Sequence, residues 1–237
     1  MTAGIVRVYS TTAMKTVLDA LAPAFEAVHA SRVVFNFGPS GRMAKLVADG
    51  VATDVVIVTA GGIDELIAKG RVVAGTRVDI ARSLIGVAVQ KGAPLPDIST
   101  VEGFTRALLF AKSIAMSHPT GGAQSGAHLA KIFGRLGIAE EMRAKSIYGP
   151  GGPAGLVGNY LLRGEADVGL QQMPELMAVP GIDVVGPLPA EIQLVTIFSA
   201  GLSTAAKNVD GSKAWIEQLR STEATAVIRT KGMEPTL

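Results

Sequence analysis

The 237-residue chain contains no cysteine, which excludes disulfides, thiolate zinc sites and a cysteine nucleophile. Aromatic residues are scarce at 5%, yet 48% of the chain is hydrophobic and only 18% charged, so it has the composition of an ordinary globular protein rather than a disordered one. Its 22 basic and 20 acidic residues are spread without a run of five or six like charges, so no nucleic-acid surface is expected. No segment approaches the roughly 18 uninterrupted apolar residues of a membrane helix, and no membrane insertion is expected. Residues Met1–Gly4 lead directly into Ile5–Tyr9, leaving no room for a signal peptide. We therefore expect a cytoplasmic chain if Met1 is the native start, and a periplasmic one if the sequence is a trimmed mature form. There is no internal repeat, Ser-His-Asp constellation, phosphate-binding P-loop or metal-ligand cluster, so hydrolase and NTPase chemistry drop away and neither cofactor nor metal is expected.

What is present is an alternation of strand and helix. Ile5–Tyr9 is a short β-rich run, and Thr11–Ala27 follows with Val17, Leu18, Leu21 and Phe25 at helical spacing. The pattern repeats with Arg32–Phe37 then Gly41–Ala48, and with Asp54–Val58 then Ile63–Ala68. Such alternation implies a parallel sheet. After Val78–Ala81 comes a second set: strands at Leu84–Val89, Ser113–Met116 and Val168–Gln171, with helices near Val101–Phe110 and Gln124–Leu136. A second α/β lobe accounts for these. The apolar run Leu194–Ser199 and a helix at Gly211–Leu219 then return the last 40 or so residues to the first lobe.

Residues suited to chemistry stand where strands hand over to helices, the edge at which open α/β sheets bind ligands. Three junctions are rich in hydroxyls and, taken together, in glycine: Ser10-Thr11-Thr12, Gly38-Pro39-Ser40-Gly41-Arg42, and Pro119 to Gly126 with Thr120, Gly121, Gly122 and Ser125. Each offers helix N-terminal amides and a side-chain hydroxyl, which together hold an anion without a buried counter-charge. The structural alternative is ordinary N-capping and turn chemistry, in which Ser, Thr and Gly are the common residues. Arg42 falls in a first helical turn, where the helix dipole disfavours a cation, and this favours a ligand role over a solvated one. Gly149–Gly155 would let backbone approach a ligand closely, or form a surface loop. His118 and Tyr148 are the candidates for a proton-transfer role, each with packing as its alternative.

Val8–Thr12, Gly38–Arg42, Ala52–Ile57 and Arg163–Gly169, in that order and spacing, resemble the signatures of periplasmic molybdate-binding proteins and their relatives. The resemblance implies the type II periplasmic-binding fold, with two α/β lobes, each a mainly parallel sheet flanked by helices. Residues 1–82 plus 196–237 would form lobe 1 and 83–195 lobe 2, with crossings near Arg82-Ser83 and Gln193–Val195 and a ligand cleft between the lobes. It implies a solute-binding protein for a small anion, with a transporter permease as its partner. Ser10 and Ser40 match the hydroxyl positions of that family, Ser125 a backbone-amide position, and Ala154 or its neighbours the next contact. Where the family carries a tyrosine hydroxyl, this chain has Gln172 preceded by Gln171, and Arg42 is an addition. An arginine and two carboxamides suit an organic di- or tricarboxylate better than molybdate. Gln171–Leu176 and Val185–Gln193 further resemble a subgroup that includes aconitate isomerase, which implies an isomerase as the alternative activity.

Overall fold

The structure is a computed structural model that describes residues 4–236. It has two compact units, one comprising the described residues up to Arg82 together with those from Thr196 onward, the other Ser83–Val195. In the first unit the order is β1 (Gly4–Thr11), α1 (Lys15–Val28), β2 (Ser31–Gly38), α2 (Ser40–Ala48), β3 (Val55–Thr59), α3 (Ala60–Ala68) and β4 (Val78–Ser83). The second unit holds β5 (Ile85–Gln90), α4 (Val101–Phe110), β6 (Ile114–Ser117), α5 (Gln124–Arg135), α6 (Ala139–Lys145), β7 (Ser146–Gly149), α7 (Gly158–Leu162), β8 (Val168–Gln172), α8 (Met173–Met177) and β9 (Ile182–Pro187). The chain then returns to the first unit through β10 (Thr196–Leu202), α9 (Val209–Gln218), α10 (Thr222–Thr230) and β11 (Glu234–Pro235).

The first unit is built on a six-stranded sheet in the order β11-β4-β10-β3-β1-β2. β3 is buried on both faces, and its period of two explains how. Val55 and Ile57 enter the core that also contains Val17, Leu18, Phe25, Trp215 and Ile228, while Val56 and Val58 face Met43, Val47, Ile63 and Leu66. Helix starts are set by local capping: the side chain of Thr59 accepts from Gly62 N–H, Asn208 from Gly211 and Ser221 from Ala224. The helix expected over Thr11–Ala27 begins later, because Thr11 ends β1 and Thr12–Met14 form a 3₁₀ turn before α1. Asp54, nearly fully buried, fastens the unit's far side by accepting from the backbone N–H of Arg7 (2.7 Å), Lys207 (2.6 Å) and Asn208 (3.2 Å).

The second unit has a five-stranded sheet in the order β7-β6-β8-β5-β9. Large side chains lie on one face, where Phe104, Leu108, Leu129, Ile132, Phe133 and Met142 pack on Val87, Met116, Val168 and Leu170. The other face carries Ala88 and Ala115 beneath Leu161 and Leu176, so α7 and α8 approach the sheet closely.

Both sheets are mixed. β1 pairs in parallel with β2 and β3, and β6 with β7 and β8, as helical crossovers require. β10 runs antiparallel to β3, and β5 antiparallel to β8 and β9. No helix crossover links either strand directly to those neighbours, so nothing local imposes the parallel direction that the alternation predicts.

Candidate functional site

In the first unit the parallel register sets the site. Thr11 is opposite Gly38 and Ser10 opposite Ile57, so the carboxyl ends of β1, β2 and β3 bring Ser10–Thr12, Gly38–Arg42 and Thr59–Gly62 to one sheet edge. Ser10 is fully buried, and its hydroxyl donates to Thr11 C=O at 3.2 Å. Ser40, the first residue of α2, accepts from Thr59 N–H at 2.9 Å, which leaves its own O–H proton to donate. Thr11 and Thr12 are also buried, and Thr12 Oγ1 has no hydrogen-bond partner among the described residues. Gly41 and Arg42 are exposed. Arg42 forms no ion pair among the described residues, unlike Arg77, which is shared between Asp64 and Asp79.

The second unit repeats the arrangement. Ser117 is opposite Gly149 and Met116 opposite Leu170, so the loop from His118, the glycine-rich segment after β7 and the end of β8 share an edge. His118 is exposed, and its Nδ1 lies 3.2 Å from Thr120 N and 3.1 Å from Thr120 Oγ1. Its ring meets Tyr148 edge-on at 4.9 Å between centroids. The two residues expected as proton-transfer candidates are thus in contact. Gly121 and Gly122 are exposed in the turn, and Gly122 has φ of 85°, a conformation that glycine adopts freely. Ser125 is buried in the first turn of α5. Ala154 is exposed in a 3₁₀ turn over Pro153–Gly155.

Gln171 and Gln172, expected as ligand-facing carboxamides, stand at the end of β8. Both are buried. Gln171 Oε1 accepts from Val157 N–H at 2.8 Å, and Gln172 Oε1 from the hydroxyl of Ser83 at 2.6 Å. The other histidines are structural: His29 stacks on Phe25 at 4.3 Å, and His128 Nε2 lies 2.8 Å from Ile192 C=O.

Sequence reasoning missed Glu175. Burial pushes its carboxyl up to about 8, only partly opposed by a hydrogen bond from Gln172 N–H. Gln172 is the N-cap of α8 and Glu175 lies three residues on, so the spacing of a capping box was the available signal. No group of three or more Asp, Glu or His among the described residues could hold a metal ion. No helix among them is long and apolar enough to cross a membrane.

Each edge supplies amides and hydroxyls that can hold an anion by hydrogen bonds, and the first adds the exposed guanidinium of Arg42. Comparison with known proteins agrees with this architecture. Residues 6–234 match the family model described as bacterial extracellular solute-binding protein. An aconitate isomerase from Pseudomonas sp. is 34% identical over 221 residues, covering 91% of this chain and 82% of that protein. The periplasmic molybdate-binding protein of Azotobacter vinelandii superposes with a TM-score of 0.79 at 19% identity, covering 96% of this chain and 98% of its own. The sulfate-binding protein SubI of Mycobacterium tuberculosis does so with a TM-score of 0.73 at 15% identity, covering 98% and 87%. These likenesses establish the periplasmic-binding architecture. On the family match over nearly its whole length, the chain belongs to the bacterial extracellular solute-binding protein family.

Proposed function

We propose that the chain binds a small organic di- or tricarboxylate at the sheet edges described above. The observation that carries this reading is Arg42, an exposed guanidinium without an ion-pair partner among the described residues, on the sheet edge that also carries the buried Ser10 and Ser40. A planar fork of donors matches a carboxylate in two-pronged geometry, and neutral hydroxyls and amides complete the shell without competing negative charge. Thr120, Gly121, Gly122 and Ser125 supply the corresponding turn of the second unit, with Ala154 in the loop after β7. A transporter permease is the partner proposed for such a receptor, working outside the cytoplasmic membrane.

A second reading is favoured by the 34% identity to a protein named aconitate isomerase. Here the bound tricarboxylate would lose a proton from one allylic carbon and regain one at the other, shifting the double bond with no net change in atoms. The protein's part would be to hold the carboxylates, stabilise the enolate-like charge and carry the proton, with His118 and Tyr148 as the proposed groups. Incubation with trans-aconitate in deuterated water, followed by NMR, separates the two. Conversion to the cis isomer with deuterium uptake, abolished by Ser10→Ala, selects the isomerase. Binding without conversion or exchange selects the receptor, and no binding of trans-aconitate, citrate or succinate sinks the carboxylate reading.

A further inference from the structure

Gln171 stands in β8 at a position that an apolar residue would fill, and it is 2% exposed. A buried carboxamide is costly unless it is hydrogen-bonded, so its partner indicates what it is for. That partner is Val157 N–H, at 2.8 Å. Val157 is the N-cap of α7, two residues after the glycine-rich segment Gly149–Gly155, and its side chain is fully buried. Gly169, two residues before Gln171 and so on the same face of β8, makes room for it: a Cβ there would fall 2.9 Å from Val157 Cγ1. β8 therefore grips the loop's exit twice, once through the side chain and once through the amide.

The loop itself is pinched at its neck, because a Cβ on Gly149 would lie 2.8 Å from Gly155 C=O, and Gly155 N–H closes a turn onto Gly152 C=O at 3.0 Å. Gly151 and Gly152 both have φ of 74°. The N–H groups of Gly151, Gly152 and Ala154 have no acceptor among the described residues. Successive unpaired amides in such a turn form a concave nest that suits an anion. Their direction depends on how the loop is held at its exit.

We infer that Gln171 is a positioning residue, which sets the amides of the Gly151–Ala154 turn toward the anion by fixing Val157 rather than by touching the ligand. The inference rests on the carboxylate reading above for the ligand, and on the loop geometry for the mechanism. The competing role is direct donation from Gln171 Nε2 to the ligand.

A double-mutant cycle separates these roles. Gln171→Met keeps the volume and removes the acceptor. Val157→Pro removes the donor, at a site whose φ of −61° a proline accepts, preceded by Leu156 at φ −62° and ψ 125°, which a residue before proline also accepts. Amide exchange is measured without ligand, and trans-aconitate affinity by calorimetry. In Gln171→Met, the amides of Gly155, Asn159 and Tyr160 should exchange about tenfold faster, as expected for loss of one net hydrogen bond, with those of α5 unchanged. Affinity should fall about tenfold in each single variant and no further in the double variant. Affinity losses that add in the double variant, or unchanged exchange in Gln171→Met, overturn the positioning role. A wild type that binds no trans-aconitate overturns the ligand reading, so the two failures are told apart.

Discussion

Arg42 places a full positive charge in the first turn of α2, where the helix dipole opposes it and no carboxylate among the described residues answers it. Such a residue stabilises neither the helix nor the fold, so removing it should leave stability unchanged or slightly raised while weakening the ligand. Arg42→Ala is expected to lower trans-aconitate affinity about tenfold or more, the scale of one charged hydrogen bond, and Arg42→Lys to restore only part of it. Calorimetry reads the affinity and thermal unfolding the stability. A fall in both together would make Arg42 structural.

Glu175 makes a prediction in pH. Its folded carboxyl sits at about 8 against an ordinary value of 4.5, so the folded chain keeps a proton that the unfolded chain has released. The stability it contributes is full below about pH 4.5 and is lost as pH rises toward about 8. Glu175→Gln retains the capping geometry and should remove this decline, which urea unfolding at pH 5.5 and pH 8 would measure. An equal slope in both proteins would mean that Glu175 ionises normally. The hydroxyls of Ser10 and Ser40 were legible in the sequence because a strand end followed by a helix start fixes their place. Glu175 was less so, since the capping spacing from Gln172 marks its place in α8 but the burial that shifts its carboxyl is made by packing.

Among the elements, α5 is the one whose seat against the sheet can be tested with an internal control. Gly126 and Gly134 both lie inside this helix, where replacing glycine by alanine ordinarily gains about 1 kcal/mol. At Gly134 an added Cβ meets nothing within 4 Å, and the gain should appear. At Gly126 it would lie 2.4 Å from Ser117 C=O and 2.8 Å from His118 C=O, both backbone atoms that cannot turn aside. Gly126→Ala should therefore cost roughly 1–3 kcal/mol, as overpacking does, and disturb the His118–Ser125 turn. Denaturant midpoints of opposite sign for the two variants are the expected result, and a gain at Gly126 would mean that α5 is loosely seated. Strands such as β1 and β3 were readable from their β-branched runs. α7 and α8, at five residues each, are too short to show a helical period, and α10 buries only Ala224 and Ile228, which left no stripe to read.

For the whole molecule, the second unit is one continuous segment with an apolar core on each face of its sheet, whereas the first is assembled from two separated pieces. Residues 83–195 alone should fold cooperatively, giving one unfolding transition by circular dichroism, and a stretch of that length is ample for an independent core. A gradual, non-cooperative melt would contradict it. Two α/β units were legible from the number of strand–helix repeats. The antiparallel entry of β10 was not, because its direction is decided after a long excursion rather than by a local crossover.

The position of β10 between β3 and β4 also orders events on the ribosome. When β4 has emerged, β3 and β4 both lack the neighbour that will join them, and that strand has not yet been made. The entire second unit is synthesised first, which at 5–20 residues per second takes on the order of ten seconds. For that interval the nascent chain carries a finished downstream body and an unfinished upstream one. Its open strand edges are where a chaperone would hold the chain, and where a neighbouring nascent chain would misjoin it.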